Sequence, residues 1–406
     1  MSEQWTNWSG SVTCRPQRIE RPGSEAELIR LVEEAGKAGQ TMRVAGTGHS
    51  FVPLCASEGV LVSLDGLQGV VSTDRDALQA TVWAGTKIHQ LGEPLLQAGM
   101  AMANMGDIDR QSIAGAISTA THGAGRSLGN ISTQVVGLRL VLATGEIVDC
   151  AEEQEPELFK AAQVSLGALG IISRVTLRLL PAYRLQEKTW AIPFQECFDN
   201  LDSLIAANRH FEFFWLPQED VCAVKTLNPT DAGPGSGPEH RPEPATSGRL
   251  ARYIQQGRID HSYRIFPSER NIKFNEMEFA LPAENGPDCL LEVRALMRER
   301  YPDVAWPIEY RTVAADDIFL SPHYGRESVT ISIHQAHNLP HAPFFAAAEA
   351  IFRAHQGRPH WGKIHSHEAG RLRSLYPMWD RFQAQRRRVD RQGCFLNEYL
   401  KSLFEV

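Results

Sequence analysis

The chain has 406 residues, of which 43% are hydrophobic and 22% are charged. These values are typical of a soluble globular protein, and the length allows two domains with separate cores. The formal net charge of −7 argues against nucleic acid as the main partner. Seven scattered cysteines without a Cys-x-x-Cys pair indicate reduced thiols rather than a disulfide framework or a metal site.

The N-terminal residues carry no basic segment followed by an apolar core, and the chain has no run of about 18 apolar residues. The sequence therefore predicts no secretory signal and no membrane span. Together with the reduced cysteines, this indicates a cytoplasmic protein.

The first part of the chain, residues 1–182, alternates helical patterns with short apolar runs. Helices are predicted at 25–39, 88–98 and 155–162, and strands at 42–45, 60–63, 79–84, 134–142 and 171–180. No Gly-x-Gly-x-x-Gly motif opens a helix after the first strand, which excludes a doubly wound NAD-binding fold.

From about residue 183 the pattern changes to a mixed α+β unit. Strands are predicted at 212–217, 221–226, 308–313 and 328–334, and helices at 287–301 and 344–355. Residues 228–249 are rich in Pro, Gly and acidic residues, so we expect an exposed, mobile loop there. The sequence thus predicts domains at 1–182 and 183–390, with the apolar segment 391–406 packing back on the first.

The predicted strand at 42–45 leads into a loop rich in small and hydroxyl residues, ending at Phe51. Gly46 and Gly48 can expose bare backbone N–H groups to an anion, and Thr47 and Ser50 add hydroxyl donors. This combination suits a diphosphate. His49 would reach whatever group the diphosphate carries.

A second such loop covers residues 106–125, and no acidic residue interrupts it from Ser112 onward. One run of this kind favours a close-packed segment of a buried element. Two of them in one chain favour donors arranged around a diphosphate.

The motifs RVAGTGHSF, NMGDIDRQSIAGAISTATHGAG and SLGALGII (165–172) resemble the FAD-binding domain of the vanillyl-alcohol-oxidase (VAO) family. Within it the chain is most similar to the aldonolactone oxidases (gulonolactone, galactonolactone and arabinonolactone) and the alditol oxidases. The resemblance implies an α+β fold of two domains, in which a PCMH-type domain holds FAD and an α+β cap domain covers the isoalloxazine ring. It places these residues at FAD: Val44, Ala45, Gly46, Thr47, Gly48, His49, Ser50, Gly106, Ser112, Gly115, Thr119, Ala120, Thr121, His122, Ile171 and His360.

His49 matches the position at which many family members bind FAD covalently through its 8α-methyl group. The resemblance therefore implies a covalent bond between FAD and His49. The alternative is a histidine that only donates a hydrogen bond within a polar loop.

Glu309 and Arg311 share one face of the predicted strand at 308–313. A carboxylate beside a guanidinium offers both acceptors and donors to a polyol or lactone. A surface ion pair would be the ordinary interpretation of this pair alone, but Glu-x-Arg matches the substrate-binding pair of the family.

Ser332 and His334 share one face of the next predicted strand, at positions where alditol oxidases have His and Thr. We expect both to reach substrate, and the departure argues against an acyclic polyol, although His334 alone could be a satisfied core residue. His360-Trp361-Gly362-Lys363 resembles the HWxK motif of the family. It implies that Lys363 contacts substrate, His360 contacts FAD, and one or both supply a cation that stabilises reduced flavin. The alternatives are a buried structural His360 and a solvated Lys363.

Gly106 matches the position said to gate oxygen access to the flavin, and Asp107 matches a substrate-contacting serine of the alditol oxidases. Asp107 would bind a hydroxyl, act as a base, or only shape the loop. The resemblance implies oxidation of a CH–OH group in a sugar-derived substrate, most simply an aldono-1,4-lactone, by hydride transfer to flavin N5. O2 or another acceptor would reoxidise the flavin, and the candidate bases are Glu309, His334 and Asp107. The alternatives are an alditol oxidase acting on xylitol or sorbitol, and a flavin-binding protein without turnover.

Overall fold

The structure is a computed structural model that describes residues 3–234, 252–254, 257–268 and 272–405. The loop predicted at 228–249 lies outside the described residues from position 235 onward. Each helix in the described part is too short or too polar to cross a membrane.

The first unit is built from short strands and four helices. Its strands are β1 (Trp5–Thr6), β2 (Thr13–Cys14), β3 (Arg18–Glu20), β4 (Met42–Val44), β5 (Val60–Val62), β6 (Val70–Asp74), β7 (Gln79–Trp83), β8 (Met100–Ala101), β9 (Val135–Val141), β10 (Ile147–Ala151), β11 (Ile171–Arg178) and β12 (Leu180–Pro181). Its helices are α1 (Glu25–Lys37), α2 (Ile88–Gln97), α3 (Ile113–Ser118) and α4 (Pro156–Ala162). A parallel sheet β3-β5-β4 and an antiparallel sheet β10-β9-β11-β7-β6 share one apolar core.

The second unit is centred on one large sheet. Its strands are β13 (Arg184–Pro193), β14 (His210–Leu216), β15 (Val221–Pro229), β16 (Ile259–His261), β17 (Phe274–Pro282), β18 (Ile308–Val313), β19 (Ser328–Ala336) and β20 (Arg358–Pro359). The helices of this part of the chain are α5 (Phe194–Asp199), α6 (Leu201–Ala207), α7 (Ser262–Ile265), α8 (Gly286–Arg300), α9 (Ala342–Ala354), α10 (Ala369–Leu375), α11 (Trp379–Val389) and α12 (Glu398–Phe404). The strand order is β16-β13-β15-β14-β18-β19-β17-β20, with every neighbouring pair antiparallel.

Side chains alternate strictly between the two faces of this sheet. On one face, residues such as Tyr310 and Ile331 form an apolar core with α8 and α9. The other face carries charged residues such as Glu309 and Arg311, and the first unit covers it, so these groups are also buried. Strand alternation therefore delivers a row of ionisable groups to the boundary between the two units.

The predicted elements agree with the observed ones to within about three residues, and β18 has its predicted bounds. The long strands β13 and β17 were not predicted, nor were the shorter strands β1, β2, β3, β6, β8, β10, β16 and β20. Leu372 of α10, Phe382 of α11 and Leu400 of α12 all lie in the first core. We therefore propose that the chain rejoins the first unit from about α10, rather than at residue 391.

Candidate active site

Two clefts meet at the boundary between the units. The first, of about 770 Å³, lies between the loop after β4, residues 106–122 and the charged face of the large sheet. The second, of about 730 Å³, lies within the first unit. Ser50 and Thr119 line both clefts, so the two are adjacent.

The second cleft has the chemistry of a diphosphate site. Lys87 and Arg43 line it together with four hydroxyl side chains, and none of its lining residues is Asp or Glu. A Cβ at Gly46 would lie 2.4 Å from the Ser112 hydroxyl oxygen, so a side chain at position 46 would require that hydroxyl to move. The lining includes the predicted residues Val44, Ala45, Gly46, Ser50, Ser112, Gly115 and Thr119. These residues fit the diphosphate of FAD.

Four residues predicted at FAD line neither cleft: Thr47, Gly48, Ala120 and Ile171. Gly48 instead makes a turn with φ of +72°, and a Cβ there would lie 3.1 Å from the Trp5 ring. We therefore assign Gly48 to loop geometry rather than to a cofactor contact.

His49 lies in the first cleft, with its ring centroid 5.6 Å from that of Trp8. Burial, together with the nearby Lys363 ammonium, lowers the pKa of His49 to about 4. Its imidazole is therefore neutral near pH 7 and keeps a lone pair on one ring nitrogen. Such a nucleophile suits the covalent attachment predicted for this position.

Arg311 belongs to a closed ring of buried ion pairs with Asp107, Lys225 and Glu212. The Arg311 guanidinium lies 2.5 Å from Glu212 Oε2 and 2.8 Å from Asp107 Oδ2. The Lys225 ammonium completes the ring, 3.0 Å from Asp107 Oδ1 and 2.9 Å from Glu212 Oε1. Burial alone would lower the pKa of Lys225, but the two carboxylates raise it above its ordinary value. Glu309 also pairs with Arg311, so the predicted Glu-x-Arg pair exists and is held by three further groups.

A second ion pair joins Lys363 to Glu276 on β17. His334 Nε2 lies 3.6 Å from Glu276 Oε1, and His334 Nδ1 donates to the Pro307 carbonyl at 3.0 Å. Burial would raise the pKa of Glu276, but Lys363 and His334 lower it to about 2. Lys363 is thus a partly buried partner of a carboxylate rather than a solvated residue.

Glu278, two residues further along β17, binds groups from both units. Its Oε1 lies 2.8 Å from His122 Nε2, and its Oε2 accepts a hydrogen bond from Ser332 at 2.6 Å. Ser332 does not line the cleft, so we no longer place it among the substrate-binding groups. His360 Nδ1 accepts the Gly362 N–H, and burial lowers the pKa of His360 to about 4. Of the two predicted cations, His360 is therefore neutral near pH 7.

Four residues of this site were not predicted: Glu212, Lys225, Glu276 and Glu278. The first two lie on predicted strands, where single charged residues gave no reason to choose them. The last two belong to Phe274-Asn275-Glu276-Met277-Glu278-Phe279, whose alternation of acidic and apolar residues is the signal that could have identified them.

Clusters of His and carboxylate side chains occur in the cleft, including His122, Glu278 and His360, whose ligand-type atoms lie within 4.8 Å of one another. Glu278 already accepts hydrogen bonds on both oxygens, so we assign no metal to them. A Cβ at Gly106 would lie 3.2 Å from the His122 carbonyl oxygen, which is closer than an ordinary van der Waals contact.

Comparisons with known proteins agree with this chemistry. The family described as D-arabinono-1,4-lactone oxidase matches residues 175–256 and 245–403, and the family described as FAD binding domain matches 16–151. The chain is 39% identical over 426 aligned positions to the L-gulono-1,4-lactone dehydrogenase of Mycobacterium tuberculosis, covering 99% of each. It is 30% identical to the L-gulonolactone oxidase of Bos taurus, covering 99% of this chain and 98% of that protein.

The fold is similar to that of the cholesterol oxidase from Brevibacterium sterolicum. The TM-score is 0.87 at 17% identity, covering 100% of this chain and 97% of that one. The predicted VAO-type fold of mixed α and β structure is thereby confirmed.

Proposed function

The chain belongs to the D-arabinono-1,4-lactone oxidase family and carries an FAD-binding domain, and on this basis we propose that it oxidises an aldono-1,4-lactone at a CH–OH carbon. One observation supports this most directly. The first cleft is lined both by the His49 loop and by the charged face of the large sheet. A flavin and a polyhydroxy substrate would therefore meet in one buried space.

The charges of the cleft favour an uncharged substrate. Four carboxylates line it, but only two permanently charged cations do, Arg311 and Lys363. Carboxylates accept hydrogen bonds from substrate hydroxyls, and the two cations donate to ring and carbonyl oxygens. An aldonate, the anion formed when a lactone hydrolyses, would meet excess negative charge. The cleft therefore suits the lactone better than its acid.

FAD, when bound, supplies the acceptor for the hydride of the substrate C–H bond. The chain has to bind the lactone, orient the reacting carbon and remove the hydroxyl proton. Both oxygens of Asp107 already accept from cations, Lys225 and Arg311, so protonation would disrupt two charged hydrogen bonds. We therefore place Asp107 last among the bases and retain Glu309 and His334 as the candidates.

We propose further that FAD is bound covalently through His49. The neutral imidazole and its place in the first cleft support this. The electron acceptor stays a prediction: related proteins carry both dehydrogenase and oxidase names. The glycine at position 106 favours O2.

Anaerobic mixing with a panel of compounds tests the proposed function. Gulono-, galactono- and arabinono-1,4-lactones should bleach the flavin, and the matching aldonates should not. Arg311→Ala and Lys363→Ala should each slow bleaching about 10²–10³-fold, as expected for loss of one preorganised charge. Arg126→Ala is the control, because this arginine is exposed and its one ion pair among the described residues is with Glu327 at 3.3 Å.

Two outcomes would contradict the proposal. Bleaching by xylitol or sorbitol but by no lactone would make the protein an alditol oxidase. Wild-type bleaching rates in both the Arg311 and Lys363 variants would place the substrate elsewhere.

A further inference from the structure

His122 is hydrogen-bonded through both ring nitrogens to groups that accept. Nδ1 lies 2.9 Å from the carbonyl oxygen of Gly123, and Nε2 lies 2.8 Å from Glu278 Oε1. A carbonyl oxygen only accepts, and so does an ionised carboxylate. A neutral imidazole has one N–H and could satisfy only one of them. The ring therefore carries two protons if Glu278 is ionised.

Glu278 is held in its ionised form by its surroundings. Its second oxygen accepts the Ser332 hydroxyl at 2.6 Å. That length is typical of a hydroxyl that donates to an ionised carboxylate. Burial alone would raise the pKa of Glu278, but its hydrogen bond with His122 and the nearby Lys363 ammonium lower it well below its ordinary value. The shared proton is thus on the imidazole.

Two other histidines, His360 and His323, lie against His122, and among the described residues neither is hydrogen-bonded to a carboxylate. The His360 ring centroid is 5.9 Å away, and its Nδ1 accepts the Gly362 N–H. The His323 ring is 5.4 Å away and nearly perpendicular, and neither of its nitrogens has a hydrogen-bond partner among the described residues. Burial lowers the pKa of both rings, to about 4 for His360. In this cluster the charge belongs to His122.

We propose that His122 is a buried imidazolium, paired with Glu278, and that it sets the electrostatic potential of the flavin site. His122 lines the first cleft beside Gly106, Thr121 and His360. By neutralising Glu278, which also lines the cleft, the imidazolium cancels a negative charge that would act strongly in a water-poor site. It would favour the negatively charged reduced flavin over the neutral oxidised form. This inference rests on FAD binding and does not depend on which substrate is oxidised.

The protonation state can be measured directly in the flavin-loaded protein. Histidine labelled with ¹⁵N should show one ring with both nitrogens protonated at pH 8, where exposed histidines are neutral. That signal should disappear in His122→Gln. In Glu278→Gln the signal should change to that of a neutral ring, because the amide no longer stabilises the cation. His323→Phe, in the same cluster, should leave the signal in place.

The electrostatic role is read from the midpoint potential of the flavin. His122→Gln leaves Glu278 as an unpaired carboxylate and should lower the ratio of reduced to oxidised flavin at a fixed potential by about tenfold or more, the size expected for one uncompensated charge within about 4–6 Å. Glu278→Gln removes one charge of each sign and should change that ratio less. His323→Phe should not change that ratio.

Two results would overturn the inference: a bare nitrogen on His122 at pH 8 in the wild-type protein, or an unchanged flavin potential in His122→Gln. If lactones fail to reduce the flavin while the potentials shift as expected, the proposed function fails and this inference stands.

Discussion

Lys225→Met tests the ring of buried ion pairs that holds Arg311. Methionine keeps the apolar stem of lysine but removes the ammonium, which lies 3.0 Å from Asp107 and 2.9 Å from Glu212. The ligand-type atoms of Asp107, Glu212 and Glu309 lie within 4.8 Å of one another, so three carboxylates would share the single cation Arg311. Removing one partner of a buried ion pair costs about 3–5 kcal/mol of unfolding free energy. We expect a loss of that size.

The assay is chemical denaturation of the flavin-loaded protein at pH 7, followed by circular dichroism. Lys37→Met is the control: the side chain of Lys37 is 80% exposed, and its change should stay within about 0.5 kcal/mol. The double variant Lys225→Met, Glu212→Gln removes one charge of each sign. It should therefore lose less stability than the sum of the two single variants, by about 0.5–3 kcal/mol.

The reasoning fails if Lys225→Met unfolds within 0.5 kcal/mol of the wild type, a loss no larger than that of a typical surface substitution. It also fails if the double variant loses the full sum. The first result would show that water or a rearranged side chain replaces Lys225 without cost, and the second that Lys225 and Glu212 do not stabilise each other. In either case the ring would not position Arg311.

Three further predictions concern other parts of the chain. The Glu349 carboxylate accepts a hydrogen bond from His367 Nδ1 at 2.7 Å. Burial alone would raise the pKa of Glu349, but the hydrogen bonds from His367 and Ser366 lower it to about 2. The ionised carboxylate therefore stabilises the fold fully above its ordinary pKa near 4.5, and this stabilisation is lost as the pH falls toward 2. Glu349→Gln should therefore lower the unfolding free energy by about 1–3 kcal/mol at pH 7. Between pH 5 and 3 its thermal unfolding temperature should depend less on pH than that of the wild type, and an equal pH dependence in the two proteins would contradict this. His49→Ala should release any retained flavin on acid precipitation, and acid-stable flavin in that variant would place the bond elsewhere. In Gly106→Ala the added methyl would lie 3.2 Å from the His122 carbonyl oxygen. This variant should slow reoxidation of the flavin by air, measured by stopped flow, and lower H2O2 production, while flavin reduction by substrate stays unchanged. Reoxidation at the wild-type rate would show that Gly106 does not lie on the oxygen path.

The sequence by itself determined the elements with strong local signals. Strand β18 has its predicted bounds because its alternation is uninterrupted, and that alternation placed Glu309 and Arg311 on one face. The glycine and hydroxyl loop after β4 indicated a diphosphate site because donors without carboxylates are a local property of the chain. Such signals depend on neighbours within a few positions, so they can be read without the fold.

Only the tertiary structure decided which charges meet. Lys225 and Asp107 are 118 positions apart, and Glu278 and His122 are 156 apart. Alternation tells which face a side chain occupies, but it does not tell which strands are neighbours. The order β14-β18-β19-β17 brings the charged faces of these strands together, and the first unit then covers them. Because burial makes an unpaired charge costly, this assembly determines the partner of each ionisable group and therefore its protonation state.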